Sequence, residues 1–95
     1  MAPAHTAVMQ DAHWAQLKET LLGRGWTWRD NSLYAPHETM WFSTTNAHPN
    51  LALFRDRMTL AAESTAGYTL QSPDQAELHE DLISLVGALD ELLEN

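Results

Sequence analysis

Residues 26–42 read WTWRDNSLYAPHETMWF, and the way this stretch pairs with itself decides the fold. A two-residue turn at Asp30-Asn31 and a four-residue loop at 36–39 divide it into three short segments. In that register Trp28 faces Leu33, Trp26 faces Ala35, Ala35 faces Met40 and Leu33 faces Phe42. All of these are apolar, whereas the opposite face carries Thr27, Tyr34 and Trp41. Side chains alternate with period two, so a slip of one residue would turn every apolar group to water. Asp and Asn tolerate the positive φ of a tight hairpin turn. Pro36 has no N–H to give to a ladder and suits a strand end. The stretch predicts strands at 26–29, 32–35 and 39–43 forming an antiparallel meander with one dry face.

Helices are expected on both sides of it. Upstream, Trp14, Leu17 and Leu21 make a stripe on a helix from about residue 7 or 11 to 22, stopped by Gly23 and Gly25 around Arg24. Downstream, residues 44–49 read as a linker and Asn50 as the N-cap of a second helix reaching about residue 66, with Gly67 just past its end. Leu51, Phe54, Met58, Ala61 and Ala62 share one face of that helix, while Leu53 and Leu60 lie seven apart on nearly the opposite side. A competing pattern exists over residues 58–71: Met58, Leu60 and Ala62 alternate, as do Tyr68 and Leu70, which suits a hairpin turning at 63–67. The last helix has the clearest start. Ser72, Pro73, Asp74 and Gln75 supply a capping hydroxyl, a proline at the first turn and a capping-box Gln. Leu78, Leu82, Leu85, Leu89 and Leu92 then form a stripe to about residue 93, widened by Val86 and Leu93, with Ile83 at its margin. Gly87 falls on the polar side, at a cost of about 1 kcal/mol relative to alanine. The expected class is α+β: an N-terminal helix, a three-stranded antiparallel meander, then two helices packed on one face of the sheet. The 95 residues suffice for a single small domain, with a loose tail at 1–6.

Composition excludes several function classes. The chain is 44% hydrophobic, too apolar for disorder, and has no cysteine, so its core must hold without disulfides. It has no basic-then-apolar leader and no run near the ~18 apolar residues of a membrane span, so a cytoplasmic protein is expected. A formal charge of −8, from 13 acids against 5 Lys and Arg, disfavours nucleic acid and anionic membranes. From Asp74 onward there are seven Asp and Glu and no Lys or Arg, and these acids read as one solvated helix face. Asp90, Glu91 and Glu94 sit where the helix dipole is already negative, so a basic counterpart, either Arg55 and Arg57 or a partner, would offset them.

No motif points to catalysis. The five histidines, His5, His13, His37, His48 and His79, show no metal-ligand spacing, there is no nucleophile elbow, and Gly23-Arg24-Gly25 follows a helix instead of opening one. No cofactor, metal site or catalytic residue is expected. The pattern fits a binding protein instead. If the helices cover one side of the sheet, Tyr34 and Trp41, flanked by Arg29, form a recognition patch of the residue types that dominate interfaces. Leu53 and Leu60 form a second unpartnered stripe, and together these surfaces predict a homodimer. The expected function is a self-associating acidic interaction module: an adaptor, a chaperone or an inhibitor of a basic partner. The alternative is a small-molecule-binding domain or accessory enzyme subunit in which Tyr34, Trp41 and His37 line a site.

Overall fold

The computed structural model describes residues 8–94. The tail expected at 1–6 lies outside the described residues; of the two expected starts for the first helix, 11 holds and 7 does not, because Val8 pairs as an isolated bridge with Asn50 and Gln10 is the N-cap of the helix. The chain runs α1 (Asp11–Gly23), β1 (Thr27–Arg29), β2 (Ser32–Tyr34), β3 (Trp41–Phe42), α2 (Leu51–Ala66) and α3 (Pro73–Glu94). The sheet has the order β1-β2-β3, with both pairs antiparallel. Trp28 lies opposite Leu33, Leu33 opposite Phe42, Thr27 opposite Tyr34, and Tyr34 opposite Trp41, which is the register the alternation predicts. Asp30 (φ 51°) and Asn31 (φ 59°) both occupy the left-handed region that a two-residue hairpin turn of this hand requires. Beyond the strand ends the ladder continues through the Ala35 N–H, which donates to the Met40 carbonyl at 3.0 Å.

The end of α1 and the starts of α2 and α3 are closed by groups that satisfy orphan helix amides or carbonyls. α1 stops in a Schellman arrangement: Trp26 N donates to Leu21 O at 3.0 Å, Gly25 N to Leu22 O at 3.2 Å, and Gly25 adopts φ +94° between them. The Asn50 side chain accepts from Leu53 N at 3.0 Å at the start of α2, and Ser72 Oγ accepts from Gln75 N at 3.2 Å at the start of α3. α2 continues to Ala66, so residues 58–66 are helix, not half of a hairpin. The alternation of Met58, Leu60 and Ala62 does not bury a strand face: Leu60 is 66% exposed and Ala62 is buried.

The dry face of the sheet meets all three helices in one core. Leu17 and Leu21 from α1, Trp26, Leu33, Ala35 and Phe42 from the meander, Leu51 and Phe54 from α2, and Leu85, Ala88, Leu89 and Leu92 from α3 are buried together. Phe42 is its aromatic centre. Trp14, Trp26 and Phe54 each approach its ring edge-on, with centroids 5.6, 5.8 and 5.5 Å away, the arrangement that aromatic quadrupoles favour. The Trp26 indole N–H donates to Ser84 Oγ at 3.0 Å, so the buried ring brings no unpaired donor with it. Trp28 packs at the core edge beneath Lys18, whose ammonium lies 3.9 Å from the ring centroid. Among the described residues no buried side-chain polar atom lacks a hydrogen-bond partner.

Candidate functional site

The outer face of the sheet carries an ordered stack. Tyr34 and Trp41 are directly opposed across β2 and β3, with ring centroids 6.0 Å apart and planes inclined by 25°. The Arg29 guanidinium lies 3.9 Å from the Tyr34 ring centroid, and its Nη2 donates to Glu38 Oε1 at 2.6 Å. That contact with Glu38, more than the neighbouring Tyr34, raises the Arg29 pKa above its ordinary value, and the guanidinium is a cation in any case. Trp41 remains 53% exposed and Tyr34 half-buried, so the structure brings the three predicted residues Arg29, Tyr34 and Trp41 together on open surface. Leu53 and Leu60 sit elsewhere, exposed on α2, with Asp56 and Arg57 between them in sequence and also exposed.

His37 does not join the aromatic stack but turns to α3, where a carboxylate is hidden. Asp81 is only 1% exposed. Its Oδ1 lies 2.9 Å from His37 Nδ1, its Oδ2 accepts from Thr39 Oγ1 at 2.7 Å, and longer contacts of 3.3–3.5 Å reach the amides of His37 and Thr39. Glu80 Oε2 lies 3.3 Å from the other ring nitrogen, Nε2. The reading of the acids after Asp74 as one solvated face is therefore corrected at Asp81, which fastens the β2–β3 loop to α3. Its position carried a signal: it is three residues after Leu78 and four before Leu85, inside the leucine stripe, where an acid needs dedicated donors. Thr39, which completes this clamp, and Glu38, which seats Arg29 on the outer face, carry no comparable sequence signal.

The acidic end of α3 is partly offset within the chain. Arg55 Nη1 donates to Asp90 at 3.0 Å, and Arg24 Nη2 to Glu91 at 2.8 Å. The Arg24 guanidinium reaches Glu91 by lying across Gly87, where a Cβ would come within 2.9 Å of Nη1. This gives the mid-helix glycine a packing reason. Arg29, Arg24 and Arg55 are thus engaged internally, while among the described residues Asp11, Glu19, Asp30, Glu63, Asp74, Glu77 and Glu94 make no ion pair.

A groove of about 370 Å³ lies between the start of α1 and the 44–49 segment, lined among others by Trp14, Thr45, Ala47 and His48. Neither Tyr34 nor Trp41 lines it. No cluster of three or more His, Asp or Glu suited to a metal ion occurs among the described residues. No helix among them is long and apolar enough to cross a membrane. Compared with known proteins, the chain matches no family model, no curated protein and no solved structure.

Proposed function

We propose that this chain is a non-catalytic protein–protein interaction module that presents the Arg29–Tyr34–Trp41 stack to a basic partner and self-associates through α2. The observation that carries the reading is the order of an uncovered stack. Its rings and guanidinium are already held against one another, so docking on Trp41 forfeits less side-chain freedom than docking on a mobile patch. Tyr, Trp and Arg are also the side chains most enriched among dominant interface contacts. The unpaired acids and the net charge of −8 favour fast encounter with a cationic surface, as an adaptor, a chaperone or an inhibitor of a basic protein would need.

The α2 stripe suits a second copy. On a helical projection Leu53 and Leu60 form the centre, with Asp56 on one flank and Arg57 on the other. A parallel two-fold pairing sets Asp56 of each copy beside Arg57 of the other, whereas an antiparallel one sets like charges together. Sedimentation at micromolar concentration is expected to give a dimer that Leu60→Glu converts to monomer; a wild-type monomer overturns the self-association. Affinity capture from native cells with wild type and with Trp41→Ala tests the sheet face. A basic protein held by the first and lost by the second is expected, and equal retention overturns the assignment of that face.

A further inference from the structure

We propose that His37 is a protonation-controlled latch on the exposed stack: its imidazolium, bridging Asp81 and Glu80, locks the 36–39 loop to α3, and Glu38 of that loop then holds Arg29 on Tyr34. The latch would regulate the face to which the interaction reading assigns partner binding, and rests on that reading for its biological consequence alone.

The ring is bracketed by acceptors. Nδ1 is 2.9 Å from Asp81 Oδ1 and Nε2 is 3.3 Å from Glu80 Oε2. Ionised carboxylates only accept, and an imidazole donates from both nitrogens only when protonated. A neutral ring must therefore turn a lone pair toward one of the two carboxylates. Asp81 is 1% exposed and depends on His37 as its charged counterpart, whereas Glu80 is exposed and free to rehydrate. Deprotonation thus releases the Glu80 side of the bridge and leaves the buried carboxylate held by neutral donors alone.

The consequence is transmitted through contacts one residue away. Glu38 adopts φ 55°, a left-handed conformation that a residue with a Cβ seldom takes unless its surroundings impose it. Its N–H donates to Ala35 O at 2.8 Å, and its carboxylate holds Arg29 at 2.6 Å. Arg29 in turn lies on Tyr34, and Tyr34 on Trp41. The charged groups around His37 are Asp81 and Glu80, with Glu77 further along α3, Glu38 beside it in the loop, and Arg29 of β1 engaged by Glu38. The hydrogen bond with Asp81 raises the His37 pKa above 6.5; burial opposes it, and the charges of Asp81, Glu80 and Glu77 add to the rise. The locked form therefore persists to a higher pH than an ordinary histidine would allow.

The test is an NMR titration of the full chain from about pH 5.5 to 9, following the His37 ring and the Arg29 side-chain protons that the Tyr34 ring current shifts upfield. The expected result is one shared midpoint above 6.5 for His37, Arg29 and the Thr39 amide. His37→Asn, which can still donate to Asp81 but does not titrate, should remove that step from Arg29. Glu80→Gln, on the exposed side of the bridge, should lower the His37 and Arg29 midpoints together. Arg29 signals that stay flat through the His37 transition, a step that survives His37→Asn, or an Arg29 midpoint unmoved in Glu80→Gln would each overturn the latch. No partner enters this experiment. A chain that binds nothing through Trp41 still passes it if the contacts are coupled, and a chain that binds through Trp41 without coupling fails only here.

Discussion

Replacing Asp81 with alanine tests whether the hidden carboxylate holds the loop to α3. The side chain makes two short contacts, 2.9 Å to His37 Nδ1 and 2.7 Å to Thr39 Oγ1, besides the longer amide contacts. Hydrogen bonds to a charged group are worth about 1.5–3 kcal/mol each. Removing one member of a buried charged arrangement costs about 3–5 kcal/mol, since the other is stranded. His37 is a third exposed and can recover water, which places Asp81→Ala near the lower limit, about 3 kcal/mol. In a domain of this size each kcal/mol moves the melting temperature by about 4–8 °C, so the variant should melt roughly 12–24 °C lower. Asp81→Asn keeps the shape and one acceptor, and its amide can donate to the Thr39 hydroxyl, so a loss of about 1–2 kcal/mol is expected. Urea unfolding followed by tryptophan emission measures both, provided the slope with denaturant is unchanged. A double-mutant cycle with Thr39→Val should return a coupling of about 0.5–3 kcal/mol. A loss below about 1 kcal/mol for Asp81→Ala, or zero coupling to Thr39, would refute the clamp, because truncation of so enclosed a charge can be that mild only if its donors are already satisfied elsewhere.

Four further outcomes are expected. Since the folded-state pKa of His37 lies above its unfolded value of 6.5, its stabilisation is complete below pH 6.5 and is lost as pH rises through the folded value; unfolding midpoints of wild type and His37→Asn should therefore converge with rising pH, and parallel profiles would argue otherwise. Glu38→Gly relieves a left-handed residue, so it should raise the melting temperature by the equivalent of about 1 kcal/mol while releasing Arg29 from Tyr34, seen as loss of the Arg29 ring-current shift. Gly87→Ala displaces only the flexible end of Arg24: the gain of about 1 kcal/mol in helix propensity should exceed what the exposed Arg24–Glu91 pair contributes, and a calorimetric loss of stability would show that the guanidinium has nowhere to go. At the α2 face, Arg57→Asp should shift the proposed dimer toward monomer in sedimentation, and Asp56→Arg combined with Arg57→Asp should restore it; a double variant no better than the single one counts against the parallel pairing.

How much of this could be read from the chain depended on whether a residue's fate is set locally. The 26–42 register is legible because six apolar side chains and a left-handed turn pair all select the same alignment, and a slip by one is costly everywhere at once. The last helix was legible because its cap and its leucine spacing agree. The end of α2 was ambiguous: Met58, Leu60 and Ala62 satisfy period two over a few residues and period 3.6 over more, and only tertiary burial separates them. Leu60 stays exposed and Leu70 is wholly so, which no strand face explains. The burial of Asp81 is hard to read from the chain because nothing near it in sequence distinguishes it from its solvated neighbours except its place in the stripe. Its donors arrive from 42 and 44 residues away. Arg29, Tyr34 and Trp41 were placed on one face by alternation alone, but the ion pair that seats Arg29 depends on the loop conformation of Glu38, which propensity does not favour.

The two-residue strand β3 contributes little ladder, yet Phe42 is where α1, the residue leading into β1, and α2 meet. Three edge-on ring contacts, each worth about 0.5–1.5 kcal/mol beyond burial, converge on one side chain whose neighbours come from both halves of the chain. No portion ending before it, and none beginning after it, contains a complete interior. The molecule should therefore assemble in a single cooperative event, and cutting it anywhere in the meander should leave two pieces that regain structure only in each other's company.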